Sequence, residues 1–343
     1  MSENKFLKWM TSETQSIYWH DSAVIDELEV AIKNGAVGVT TNPFLINSTL
    51  RSRPEFWAEK LGDVSRELKG TEKVEALMKQ VTGFVADKLS PFAEKGSEYG
   101  KCCAQTNPGK PGDYEAMLEQ AKRYAKWSPN VCIKIPATKA GLKVCEELAA
   151  LGYNVVVTVS FTVPQVLAIG EAFQRGADRA LKNGITPGLG AAVMMIGRLD
   201  DYLRDVAKDT EANVSESDII QAGLACMKRA YKIFNERKYD AILMAAGCRG
   251  AYHITELAGA RMIMSVAPKI AKLLLDVKEP FEERIDVPVP QDVIDRLNTM
   301  PEFRKAYEPD GMSVDEFISY GATNRTLTQF IESGWSQLES LKF

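Results

Sequence analysis

Residues 131–159 read VCIKIPATKAGLKVCEELAALGYNVVVTV, and this stretch holds two apolar, β-branched runs separated by a helical pattern. The runs predict strands over Val131–Ile135 and Val155–Val159. Thr138 stands where the N-cap of the intervening helix is expected, and Gly152 stands where its C′ residue is expected. Strand, helix and strand in this order favour parallel pairing, so the stretch predicts one βαβ unit.

The same alternation continues along the whole chain. The candidate strands are Ser16–His20, Ala36–Thr41, Lys101–Thr106, Val131–Ile135, Val155–Val159, Ala191–Ile196, Ala241–Ala245 and Met262–Val266. Eight such units close a barrel, so the predicted fold class is α/β, a (β/α)8 TIM barrel forming a single domain over residues 1–343. A doubly wound open sheet is the alternative, although no G-x-G-x-x-G turn follows the first strand.

Helical patterns after the eighth strand predict extra helices at the C-terminus, within residues 268–343. The predicted segments are Pro268–Leu275, Gln291–Leu297, Val314–Ser319 and Ala322–Leu338.

Composition excludes several classes of protein. The chain is 45% hydrophobic and 26% charged, which is typical of a globular protein with a large core. A net charge of -4 with interspersed signs offers no basic stripe for nucleic acid and no polybasic tract for a membrane. No apolar run reaches the roughly 18 residues of a membrane span, and the first residues lack a secretory signal, so a cytoplasmic location is expected.

The cysteines and histidines favour chemistry without a metal. Six cysteines show no C-x-x-C spacing, so buried free thiols are expected. His20 and His253 are the only histidines, and neither has a partner at ligand spacing. We therefore expect no metal site, and the chemistry falls to lysine, aspartate and arginine.

Lys134 is a lysine inside an apolar run. Burying an ammonium group is costly, and a buried lysine tends to lose its proton. The neutral amine attacks carbonyl groups, so Lys134 is a candidate Schiff-base nucleophile. The alternative is that Lys134 ends an edge strand and that its side chain reaches water.

Catalytic side chains of such a barrel stand at the carboxyl ends of its strands. The polar residues predicted there are Asp21, Asn42, Gln105, Lys134, Asn154, Arg198 and Arg249. In this set, Lys134 would form an imine with a ketose and Asp21 would accept and return the proton. Asn42 and Asn154 would bind sugar hydroxyls. Arg198 and Arg249 would bind a terminal phosphate through charge-assisted bonds.

Several of these residues also have purely structural interpretations. Asp21 is equally compatible with a cap on the helix that follows it. Asn42 precedes a proline and is equally compatible with a turn. Arg198 could pair with Asp200 or Asp201 on a helix surface.

Two segments resemble the transaldolase family. Residues 38–46, GVTTNPFLI, are similar to its second-strand signature, and residues 131–141, VCIKIPATKAG, are similar to its active-site lysine segment. Residues 303–311, FRKAYEPDG, resemble the tail of its longer members. The resemblance implies a Schiff-base barrel of the pentose phosphate pathway that transfers a dihydroxyacetone unit between sugar phosphates without a cofactor. It also implies the roles given above for Lys134, Asp21, Asn42, Asn154, Arg198 and Arg249, and it leaves a homodimer open.

The chain departs from that family pattern at Gln105, Val156, Val193, Met195 and Gly247. The family usually holds its catalytic water with a glutamate and a threonine, which Gln105 and Val156 replace. An amide binds water but cannot accept its proton, and a valine does neither. Proton relay would then rest on Asp21 or on Thr158, which shares strand parity with Val156. Fewer hydroxyls near the arginines suggest an altered or absent phosphate.

Three functions are therefore compatible with the sequence. The first is transaldolase-type transfer. The second is the same lysine chemistry on a changed substrate, as fructose-6-phosphate aldolase-like cleavage or with a sulfonated ketose donor. The third is a non-catalytic sugar-binding barrel, and the retained lysine, aspartate and arginines argue against it.

Overall fold

The computed structural model describes residues 3–343. Eight parallel strands form a closed barrel in chain order, with the eighth strand pairing with the first. Their bounds are β1 Ile17–His20, β2 Gly38–Val39, β3 Lys101–Gln105, β4 Val131–Pro136, β5 Val155–Thr158, β6 Gly190–Met195, β7 Ile242–Ala246 and β8 Ile263–Val266. The predicted (β/α)8 barrel is confirmed, and the closed strand order excludes the doubly wound sheet.

Helices surround the strands and continue past β8. Their bounds are α1 Lys5–Glu13, α2 Ile25–Lys33, α3 Pro43–Ser52, α4 Pro54–Glu67, α5 Gly70–Leu89, α6 Tyr114–Ala125, α7 Lys139–Ala150, α8 Val163–Lys182, α9 Ile196–Asp209, α10 Glu216–Ile219, α11 Ala222–Arg237, α12 Tyr252–Thr255, α13 Pro268–Leu273, α14 Gln291–Leu297, α15 Pro301–Tyr307, α16 Gly321–Phe330 and α17 Ser336–Ser340. Within residues 3–343, none of these helices is long and apolar enough to cross a bilayer.

The turn after β4 explains how the sequence positions the end of that strand. Thr138 is the predicted N-cap of α7, and its side chain accepts a hydrogen bond of 3.1 Å from the Gly141 N–H. A Cβ atom on Gly141 would collide with the Pro136 carbonyl oxygen. Only a glycine therefore lets α7 begin this close to the strand that carries Lys134.

The C-terminal extension packs back onto the barrel. It differs from the predicted helices in three ways. Helix α15 was missed, the predicted helix over 314–319 is only a short 3-10 helix at Val314–Glu316, and the predicted helix over 322–338 is divided by a π-helical turn at Ile331–Trp335. A Cβ atom on Gly334 in that turn would lie 2.6 Å from the Phe44 backbone nitrogen of α3. The Lys73 ammonium on α5 binds the Leu341 carbonyl oxygen. The extension therefore lies over the segment that follows β2.

Candidate active site

Lys134 lies in the interior of the barrel near the carboxyl end of β4. Lys134 is 5% exposed, and its Nζ donates a hydrogen bond of 3.2 Å to the Thr41 carbonyl oxygen. Gln105 on β3 and Val156 on β5 are its register partners. Because a closed barrel has no edge strand, the interpretation of Lys134 as a solvated residue on a strand edge is wrong.

Asp21 follows β1 and is held by the residues after β2. The Thr40 hydroxyl lies 2.6 Å from Asp21 Oδ1, to which it donates, and 2.7 Å from Ser265 Oγ. The first helical residue is Ile25, and the N-cap residue Val24 makes no side-chain bond. Asp21 therefore does not cap α2, so this structural alternative is wrong.

Thr40 and Thr41 connect the lysine to the aspartate. Thr40 binds the Asp21 carboxylate, and the next carbonyl oxygen, that of Thr41, binds the Lys134 amine. The Thr41 hydroxyl in turn donates to the Cys103 carbonyl oxygen at 2.6 Å. Sequence reasoning did not assign roles to these threonines, although both lie inside the segment 38–46.

The Cys103 thiol lies near both charged groups. Burial raises the pKa of Cys103 to about 11, the positive charge of Lys134 opposes this rise, and the negative charge of Asp21 adds to it. Cys103 is thus a buried, protonated thiol close to the lysine and the aspartate. All six cysteines are free and buried, as expected.

Gln105 ends β3 opposite Lys134 and is 2% exposed. Its side-chain oxygen has no hydrogen-bond donor within the described residues 3–343. A buried acceptor without a donor costs about 1–3 kcal/mol, so this oxygen is suited to accept a bond from a water molecule or a hydroxyl group.

The prediction that Asn154 lies with the other polar residues at the carboxyl ends is wrong. Asn154 precedes the first residue of β5, and its amide nitrogen donates to the Pro129 and Val131 carbonyl oxygens at 3.0 and 3.3 Å. Its amide oxygen accepts from the Leu189 N–H at 3.0 Å. Asn154 therefore joins the amino ends of β4, β5 and β6. Its position just before the β-branched run was the signal for this placement.

Thr158 is the polar residue that β5 carries at its carboxyl end. It pairs in register with Pro136, two residues beyond the level of Lys134, and it is fully buried. Its hydroxyl lies 4.0 Å from the Met195 sulfur. Val156 stands at the level of Lys134, so the strand has no polar side chain there.

Asn154→Ala is expected to lower the free energy of unfolding by about 2–4 kcal/mol, because three backbone groups lose their partner. Urea unfolding monitored by circular dichroism measures this change. A rise in KM for a ketose without loss of stability would instead support the original prediction of substrate binding.

Asn42 caps α3. Its side-chain oxygen accepts a hydrogen bond of 3.0 Å from the Leu45 N–H, so this atom has a structural role as a helix N-cap and not as part of the turn that the Asn-Pro pair indicated. Within the described residues, the amide nitrogen has no protein acceptor and remains free to donate.

Arg198 and Arg249 follow β6 and β7 and lie near each other. Desolvation lowers the pKa of Arg198 to about 10, and the positive charge of Arg249 adds a smaller lowering. The negative charges of Asp21 and Asp201 oppose this shift. Two guanidinium groups held this close form a site suited to an anion.

The expected pairing of Arg198 with Asp200 or Asp201 is wrong. Asp201 instead binds Arg249, with Oδ2 lying 2.7 Å from Nε and 2.6 Å from Nη2. Arg198 binds the C-terminal extension, where Nη1 donates to Gln329 Oε1 at 2.6 Å and the guanidinium carbon lies 5.5 Å from the Phe330 ring centre.

Two glycines allow the arginine loops to approach each other. A Cβ atom on Gly197 would lie 2.5 Å from the Gly247 carbonyl oxygen and 2.6 Å from Arg249 Cγ. Gly247 itself has a φ of 63°, a left-handed conformation that side chains disfavour. The loop after β7 therefore requires the glycine that the sequence places there.

Comparisons with known proteins show which family the sequence resembles. A family model described as transaldolase/fructose-6-phosphate aldolase matches residues 18–333. Transaldolase 1 of Streptomyces avermitilis is 31% identical over 217 residues, which is 61% of this chain and 56% of that protein. A transaldolase of Thiobacillus denitrificans is 28% identical over 64% of this chain and 62% of its own length. A probable transaldolase of Dehalococcoides mccartyi is 26% identical over 69% of this chain and 80% of its own length. The chain thus spans about three fifths of the length of the first two relatives.

Proposed function

This chain belongs to the transaldolase/fructose-6-phosphate aldolase family, and we propose that it transfers a dihydroxyacetone unit from a ketose phosphate to an aldose phosphate through a Schiff base on Lys134. The observation that carries the proposal is the buried Lys134 amine, which Thr41 anchors beside the Thr40–Asp21 pair. An amine at this depth, with an acid group nearby, supports imine chemistry.

The proposed reaction assigns one role to each group. The Lys134 amine adds to the C2 carbonyl, and loss of water leaves a protonated imine. The Asp21 carboxylate takes the proton of the C4 hydroxyl as the C3–C4 bond breaks, and the electron pair of that bond forms the enamine. The aldose product leaves and the enamine adds to the acceptor aldehyde. Asp21 then returns its proton to the new alkoxide, and water hydrolyses the imine.

The remaining polar groups would bind the substrate and the water. Arg198 and Arg249 would bind a terminal anionic group, because the positive charge of Arg249 is near enough to contribute to the lowered pKa of Arg198. The free amide nitrogen of Asn42 would donate to a sugar hydroxyl. Gln105 and Thr158 would hold the hydrolytic water, since both are buried on the strands that flank β4.

Borohydride trapping tests the proposal directly. Sodium borohydride added with fructose 6-phosphate, or with dihydroxyacetone, is expected to reduce the imine and leave a covalent adduct on Lys134. Peptide mass spectrometry locates the adduct. The absence of an adduct with every ketose tried would overturn the proposal in favour of a sugar-binding barrel.

The acceptor distinguishes transfer from cleavage. With erythrose 4-phosphate present, a transferase makes sedoheptulose 7-phosphate, whereas an aldolase releases free dihydroxyacetone. A sulfonated ketose in place of fructose 6-phosphate tests whether the arginine pair accepts a different anion.

Gln105→Glu is expected to raise the rate of transfer by about tenfold, because a carboxylate can accept the proton of a water molecule that an amide only binds. Steady-state kinetics with both sugar phosphates measure the change. Gln105→Met, which removes the acceptor, is the matched control and should lower the rate. Equal rates for the two variants would show that this position does not contact the water.

A further inference from the structure

A buried histidine and aspartate lie behind the arginine pair. His253 on α12 and Asp200 on α9 both have fully buried side chains, and His253 Nε2 lies 2.9 Å from Asp200 Oδ2. The proposed reaction uses neither residue. A buried polar pair is weak as a source of stability, because apolar residues of the same volume pack equally well. The pair therefore needs another explanation.

The hydrogen bonds determine which nitrogen of His253 carries the proton. The Arg249 backbone N–H donates to His253 Nδ1 at 3.0 Å, and a backbone N–H can only donate. Nδ1 is therefore the acceptor, and the proton lies on Nε2, which donates to Asp200. The other Asp200 oxygen accepts from the Gly223 N–H at 2.8 Å. Asp200 thus orients the imidazole, and the imidazole binds the main chain of Arg249.

Helix α9 consequently holds Arg249 at both ends. Asp201 binds the guanidinium group, and Asp200 acts through His253 on the backbone nitrogen. The same helix carries Arg198 in its first turn. Both guanidinium groups are thereby positioned relative to one rigid element.

The loop around Arg249 depends on this support. Gly247 lies two residues before the arginine and Gly250 directly after it, and Gly247 has a positive φ, so two positions of the loop carry no side chain that would restrict the backbone. A displacement of about 1 Å in a group that positions a substrate can cost about 100-fold in rate.

We propose that His253, oriented by Asp200, is a positioning residue that fixes the Arg249 backbone and so sets the reach of its guanidinium group toward the terminal anion of the ketose. This inference rests on the proposed function. It concerns recognition of the anionic group and leaves the imine chemistry to Lys134.

Two substitutions at position 253 separate the two hydrogen bonds. In His253→Asn the amide oxygen occupies the place of Nδ1 and can still accept from the Arg249 N–H, although the bond to Asp200 is lost. In His253→Gln the amide nitrogen reaches the place of Nε2 and can donate to Asp200, but the acceptor for Arg249 is lost. The measured quantity is the ratio of kcat/KM for fructose 6-phosphate to kcat/KM for fructose, which lacks the phosphate.

We expect His253→Gln to lower this ratio by about 10- to 100-fold and His253→Asn to lower it by less than about threefold. Equal ratios for the two variants, or a larger loss in His253→Asn, would overturn the inference. Failure of the wild-type protein to form a borohydride adduct with dihydroxyacetone, or to prefer fructose 6-phosphate over fructose, would instead overturn the proposed function. Thermal unfolding of each variant confirms that it is folded.

Asp200→Asn provides a second test if His253→Gln does not fold. An amide nitrogen facing Nε2 would make the imidazole move its proton to Nδ1, where it opposes the Arg249 N–H. Nitrogen-15 NMR of the histidine ring reports the tautomer. We expect the Nδ1–H form together with a lowered ratio, whereas the Nδ1–H form with an unchanged ratio, or the Nε2–H form with a lowered ratio, would overturn the inference.

Discussion

Lys134→Met is expected to lower kcat for transfer between fructose 6-phosphate and erythrose 4-phosphate by at least about 10⁴-fold, because it removes the amine that is proposed to form the imine. Methionine has a similar length, so the buried volume at β4 is kept. A coupled assay for glyceraldehyde 3-phosphate measures the rate, and borohydride should leave no adduct on the segment around position 134.

The stability of this variant provides the control. The wild-type amine is buried and makes one hydrogen bond within the described residues, to the Thr41 carbonyl oxygen. Burying a polar group in an apolar interior is costly, and functional residues commonly reduce stability. Lys134→Met should therefore unfold at the same or a higher urea concentration than the wild type. Residual transfer within tenfold of the wild-type rate would show that another group attacks the ketose.

The barrel was predictable because its signals are local. Most strands are short β-branched or apolar runs, and the predicted N-cap Thr138 accepts a hydrogen bond from the backbone N–H three residues further on. These features depend on neighbours in sequence, which a pattern of residues can represent.

The details of the site were less predictable because they depend on register and on distant contacts. The predicted place of Asn154 at the carboxyl end of β5 is wrong by a few residues, and Thr158 lies at that end instead. The Arg249–Asp201 pair joins residues 48 positions apart in the sequence. The contact of Arg198 with Gln329 spans 131 positions. No local pattern distinguishes these partners from the many other charged and amide side chains.

The connection through Thr40 and Thr41 shows why a correct motif still left the site incomplete. In the sequence, segment 38–46 indicated the family resemblance, and Asn42 was its only residue with a predicted role. In the structure, Asn42 uses its oxygen as a helix cap, while the preceding threonines contact the lysine and the aspartate. The hydroxyl and carbonyl groups next to a recognised residue can therefore define the site geometry.

Asp21→Asn is expected to lower kcat for transfer by about 10²- to 10⁴-fold, since an amide cannot accept the proton of the C4 hydroxyl. The amide oxygen of the substituted side chain can still accept from the Thr40 hydroxyl, so the side chain should keep its position. Steady-state transfer kinetics measure the loss. Dihydroxyacetone has no C3–C4 bond to break, so borohydride trapping of this ketose should fall much less than transfer does.

Thr40→Val is the matched control, because it keeps the side-chain shape but removes the hydroxyl that binds Asp21 Oδ1 and Ser265 Oγ. A hydrogen bond to a charged group contributes about 1.5–3 kcal/mol, which corresponds to a loss of about tenfold or more if the bond only orients the carboxylate. The loss in Thr40→Val should therefore be smaller than the loss in Asp21→Asn. Equal losses would show that the Asp21 carboxylate is active only when the Thr40 hydroxyl holds it, and no loss in Asp21→Asn would exclude this carboxylate as the acid–base group.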